Sequence, residues 1–124
     1  MAVAAVAAAG ILLMRRASLR WGATDEEIRM GLPGDDLLPD PDLTATRGIT
    51  IAAAPAAVWP WLAQLGQDRG GFYSYDWLEN LAGVDIHSVD TIRPDLQIRG
   101  LGDDVLLAPE LGLTVVAFEE ERHL

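Results

Sequence analysis

Asp85, His87 and Asp90 fall within six residues and have the residue types of a metal ligand set or an acid–base pair. A metal normally takes three or more protein ligands held in a fixed geometry, and a loop supplies that poorly. No metal site is expected. Ser74 and Ser88 lack a Gly-x-Ser-x-Gly elbow, so neither reads as the nucleophile of a hydrolase. Gly66-x-x-x-Gly70-Gly71 lacks the Gly-Lys-Ser/Thr ending of a phosphate cradle and reads as a turn. Asp76 and Glu79 stand three apart on a helix, the spacing of a solvated face, with Asp76 placed to complement the helix N-terminus. The chain has no cysteine, which excludes thiol nucleophiles, disulfides and thiolate zinc sites. It also has no lysine, which removes a Schiff-base amine and the P-loop lysine. No catalytic residue and no cofactor is assigned.

The remaining chemistry is aromatic. Trp59, Trp61, Phe72, Tyr73, Tyr75 and Trp77 place six rings within 19 residues. Such a group either fills a core or lines an apolar pocket, where hydroxyl and indole N–H groups orient a ligand. Trp61, Phe72, Tyr73, Tyr75 and Trp77 are the candidate ligand-binding residues.

Two elements must position these rings. Pro55 suits the first turn of a helix carrying Val58, Leu62 and Leu65 at helical spacing, with Trp59 and Trp61 beside them. Pro60 requires that helix to start late or to bend. Gly66 ends it, and Gln67 to Gly71 forms a loop. Ser74 is placed to cap a second short helix, with Trp77, Leu78, Leu81 and Ala82 as its apolar face and Gly83 past its end. Upstream, residues 46–52 alternate, with Ile49 and Ile51 on one side, which predicts a first strand. Downstream, strands over 105–108 and 113–118 flank the four-residue loop Pro109-Glu110-Leu111-Gly112 as a hairpin. Arg122-His123-Leu124 reads as the start of a further strand. The order is that of an α+β fold.

The N-terminal part differs in character. Ala2 to Met14 is unbroken apolar sequence closed by Arg15 and Arg16. As a helix it spans about 20 Å, less than the roughly 30 Å of a bilayer core. The charge follows the run instead of preceding it, which favours a membrane anchor with a cytoplasmic domain over a cleaved signal peptide; given the short run, a buried alanine-rich helix is the alternative. Thr24-Asp25-Glu26-Glu27 is a capping box opening a short helix, and the Pro- and Asp-rich stretch to Asp42 is a linker. The expected organisation is an apolar helix over 1–20, a short helix and linker over 21–43, and a domain over 44–124. Residues 21–124 carry six arginines against all 19 acidic residues, a net charge of −13. Such a surface repels phosphate backbones, so nucleic acid is not an expected partner.

Trp59-Pro60-Trp61-Leu62-Ala63-Gln64-Leu65-Gly66, followed by Arg69-Gly70-Gly71-Phe72-Tyr73-Ser74-Tyr75-Asp76-Trp77-Leu78-Glu79-Asn80, resembles a bacterial subgroup of the SRPBCC (START-like) superfamily with an N-terminal apolar segment. Arg20 to Thr24 and the proline–aspartate linker look similar too. The resemblance spans about residues 20–124, specific in the two-helix segment and generic in the strands. It implies a helix-grip fold, in which an antiparallel sheet curves around a long C-terminal helix and an apolar ligand lies between them. Here the long C-terminal helix is missing, so the chain reads as a truncated, partial helix-grip domain. The implied function is non-catalytic binding of a hydrophobic small molecule or lipid by a membrane-tethered protein. The alternatives are an enzyme resembling the family's polyketide cyclases, with a pocket histidine or carboxylate transferring the proton, or an inactive fragment of such a domain.

Overall fold

The computed structural model describes residues 10, 14, 15 and 17–124. Nearly all of the apolar run, with the helix and membrane anchor expected there, lies outside the described residues. Among those described, no helix is long and apolar enough to cross a membrane. The chain divides into two compact units, Met1–Ala52 and Ala53–Leu124.

In the first unit, Thr24 starts helix α1 (Asp25–Arg29). Its hydroxyl accepts the Glu27 N–H, and the Glu27 carboxylate accepts the Thr24 N–H at 2.7 Å, so two otherwise orphaned donors are satisfied. A single 3₁₀ turn (Asp35–Leu37) follows, and the linker then returns beside its own beginning. Thr46 N–H donates to the Leu19 carbonyl and Gly48 N–H to that of Trp21. The approach depends on Gly22, which has φ 74° and where a Cβ would lie 2.0 Å from the Gly48 oxygen. The strand expected over 46–52 is absent. Ile49 and Ile51 are both exposed, and the segment's backbone donors go to the 19–21 turn instead of a sheet. Alternation specifies a face but supplies no partner strand, and none pairs here.

The second unit starts with α2 (Pro55–Leu62), with proline in its first turn as expected. Pro60 sits inside it, and the Gln97 side chain donates to the Pro60 carbonyl at 3.0 Å. The inward face differs from the Val58/Leu62/Leu65 stripe. Trp59 and Ala63, one turn apart, are buried, whereas Leu62 is exposed and the helix stops there, short of Gly66. Gly66 and Gly71 then pair across a tight loop. Helix α3 (Asp76–Leu81) follows and ends at Gly83, whose φ of 80° fits the left-handed position after a helix. Its N-cap residue is Tyr75 and not Ser74; the Ser74 hydroxyl donates to Glu79. Its expected apolar face is open, because none of its residues is buried.

Strands β1 (Asp104–Ala108) and β2 (Leu111–Thr114) form a two-stranded antiparallel sheet. The turn is the two residues Pro109 and Glu110, shorter than the four expected. The register shifts between Leu106 and Ala108, which leaves Leu107 as an extra, bulged residue of the first strand, and the second strand ends at Thr114 instead of running over 113–118. Residues 119–123 close a single bridge, Glu119 to His123, where a further strand was expected. Among the described residues, Trp59, Ala63, Ile86, Ile98 and Val115 are the buried apolar side chains, and Trp59 meets Phe118 edge to face with ring centroids 5.6 Å apart. Among the described residues the elements are short helices and one hairpin, an α+β set.

Candidate functional site

Gln64 organises the aromatic segment. It follows α2 in the sequence and is fully buried, and all of its side-chain bonding capacity is used. Its Nε2 donates to the Tyr73 hydroxyl and to the Thr91 carbonyl at 3.1 Å. Its Oε1 accepts the Arg93 backbone N–H at 2.9 Å and a hydrogen of the Gln97 amide at 3.1 Å. A buried amide with all four positions satisfied fixes its neighbours more firmly than an apolar side chain of similar size. The loop over 91–97 is thereby tied to the end of α2 and to Tyr73.

A second clamp holds the next aromatic residues. The Asp76 carboxylate accepts the Ser88 N–H at 2.6 Å and the Ser88 hydroxyl at 2.7 Å. Ser88 Oγ in turn accepts the Tyr73 N–H at 3.2 Å. These bonds hold the Asp76 pKa below the ordinary aspartate value, the Ser88 hydroxyl contributing most and the Ser88 N–H next. A third clamp, Asn80, exchanges two hydrogen bonds with the backbone of buried Ile86, at 2.7 and 2.6 Å. Arg69 donates to the carbonyls of Leu96 and Asp104, joining a 3₁₀ turn (Pro94–Leu96) to the start of β1.

Against this frame the five candidate ligand-binding residues separate. Trp61 and Tyr73 are brought together edge to face, with ring centroids 5.6 Å apart and planes at 76°. Phe72 is half-buried. Tyr75 and Trp77 stand at and just inside the start of α3, each 70 % exposed. No family model, curated protein or solved structure matches this chain.

His87 Nε2 lies 3.1 Å from Asp85 Oδ1, with both side chains in solvent. Among the described residues no group of three or more histidine, aspartate or glutamate side chains is placed to hold a metal. In the first unit, an open groove of about 450 Å³ is lined by linker residues including Asp35, Leu38, Pro39, Pro41 and Leu43. None of the five aromatic candidates lines it.

Sequence reasoning passed over Gln64, Asn80 and Arg69 and weighed Ser88 only as a nucleophile. One signal was present for Gln64: an amide inside the apolar stretch Trp61 to Leu65 must either face water or find several partners.

Proposed function

We propose that the segment from Trp61 to Trp77 binds a hydrophobic small molecule or lipid without catalysis, as part of a START-like helix-grip domain tethered to a membrane by the N-terminal apolar run. The observation that carries this reading is the state of α3. Trp77, Leu78 and Leu81 stand in water beside Tyr75, and the helix buries none of its residues. Apolar side chains concentrated on one short element are surface that an apolar partner would cover. The neighbouring Trp61–Tyr73 pair supplies a preformed aromatic edge, and the Gln64 and Asp76–Ser88 clamps keep it in place. Preorganisation of this kind lowers the ordering cost of binding.

The test is a titration of the full chain with a lysophospholipid below its micelle concentration and with ethylnaphthalene, followed by tryptophan emission. Saturable binding with a blue shift is expected, weakened by Trp77→Ala. An unchanged spectrum with both ligands would remove the reading.

A further inference from the structure

We propose that Tyr73 is the polar anchor of this site, donating its hydroxyl hydrogen to the ligand. The preferred ligand class is then a planar apolar molecule carrying a carbonyl oxygen. The proposal rests on the binding reading given above and specifies what that site selects.

Hydrogen-bond direction decides which atom of Gln64 faces Tyr73. The Arg93 backbone N–H can only donate, so the Gln64 atom facing it is the carbonyl oxygen. The Gln97 amide confirms that orientation. Its Nε2 meets the carbonyls of Pro60 and Arg93, so it is the donor end that faces Gln64 Oε1. The Gln64 atom facing Tyr73 is therefore the NH₂ group, which has no lone pair to offer. The Tyr73 oxygen must accept, and its own hydrogen cannot be spent on Gln64. Among the described residues that hydrogen has no acceptor, and Tyr73 is 40 % exposed, so the hydroxyl can reach a ligand from the solvent side.

The surroundings keep this donor defined and open. The Tyr73 ring is restrained by its edge-to-face contact with Trp61, and its N–H by Ser88 Oγ. Its backbone has φ 56°, a left-handed conformation uncommon for a bulky residue and held here by its neighbours. Gly70 adjoins the hydroxyl, and a Cβ there would lie 3.0 Å from the phenolic oxygen. The result is a restrained phenol beside a second aromatic ring, with its hydroxyl oxygen already accepting from Gln64. A ligand carbonyl complements that arrangement, whereas a ligand offering only donors does not.

Methyl naphthyl ketone and ethylnaphthalene match in size and differ in the carbonyl, so the pair isolates the donor. With the full chain, the ketone's carbonyl stretch is expected at lower frequency when bound than in an apolar solvent. Tyr73→Phe also leaves a hydrogen of buried Gln64 unpaired, which affects both ligands alike, so ketone binding should weaken about fivefold more than ethylnaphthalene binding, as expected for one neutral hydrogen bond. If the wild-type chain binds both compounds equally with no shift of the stretch, the anchor is wrong and the apolar site stands. If neither compound binds, the site itself is absent and the anchor falls with it. The infrared measurement needs only the wild-type chain, so it decides the matter even if Tyr73→Phe fails to fold.

Discussion

At the scale of single residues, the polar side chains carry the organisation, and Asp76 is the clearest case. Its carboxylate accepts two hydrogens from Ser88, and Ser88 in turn accepts from Tyr73. Because these bonds favour the charged form, the folded-state pKa lies below the ordinary value of 3.8. The contribution to stability is complete above the ordinary value and is lost as pH falls through the lower, folded one. Asp76→Asn should therefore lower the unfolding temperature by a few degrees at neutral pH and flatten the acid limb of the stability curve. Thermal unfolding measured down a pH series checks this, and an unchanged acid limb in the variant would assign the acid sensitivity elsewhere. Gln64 shows why such residues escaped the sequence. A glutamine after an apolar helix reads as the solvent side, and its burial depends on Thr91, Arg93 and Gln97, whose approach no local pattern announces.

At the scale of elements, the sequence was legible where the cause is local. The Thr24–Glu27 capping box joins residues three apart, Pro55 acts through its own ring, and Gly83 through its own φ. Legibility failed where the cause is a distant partner. Residues 46–52 alternate correctly but have no strand to pair with, and the α3 face that looked like core has nothing packed on it. The hairpin forms, but its second strand runs over 111–114 instead of 113–118, which shortens the turn. Of the five candidate ligand residues, the structure joins Trp61 to Tyr73 and leaves Tyr75 and Trp77 in solvent. The segment after α3 rests on Asn80, which holds both backbone groups of Ile86. Asn80→Ala leaves an N–H and a carbonyl unpaired beside a buried residue, a loss of about 1–3 kcal/mol. Amide exchange reads this locally. Protection at Ile86 and Ser88 should fall well before that of β1 and β2, and equal loss everywhere would show that the loop has no separate stability.

At the scale of the whole molecule, cohesion and charge oppose each other. In the second unit the buried apolar side chains are Trp59, Ala63, Ile86, Ile98 and Val115, and exposed large apolar residues outnumber them. The polar clamps fix local geometry, but their hydrogen bonds contribute little net, because the unfolded chain bonds water instead. Residues 21–124 add self-repulsion from a net charge of −13, which keeps the exposed apolar surface dispersed at low ionic strength. Domains of ordinary stability hold a margin of about 5–15 kcal/mol from large opposing terms. A small core with many loop-borne hydrogen bonds falls at the low end of that range. Unfolding should therefore be broad, with a midpoint below about 55 °C, and the near-UV dichroism of the tryptophans should fade before the far-UV signal. Raising the salt concentration screens the repulsion but not the apolar surface, so light scattering should increase together with binding of an apolar dye. A bound apolar ligand acts in the opposite direction, stabilising by mass action and covering the same surface. Ethylnaphthalene should thus sharpen the transition and suppress the salt-induced scattering together. A sharp transition above that temperature without ligand, with no scattering in salt, would show that the clamps and the small core suffice. The exposed α3 face would then need no partner.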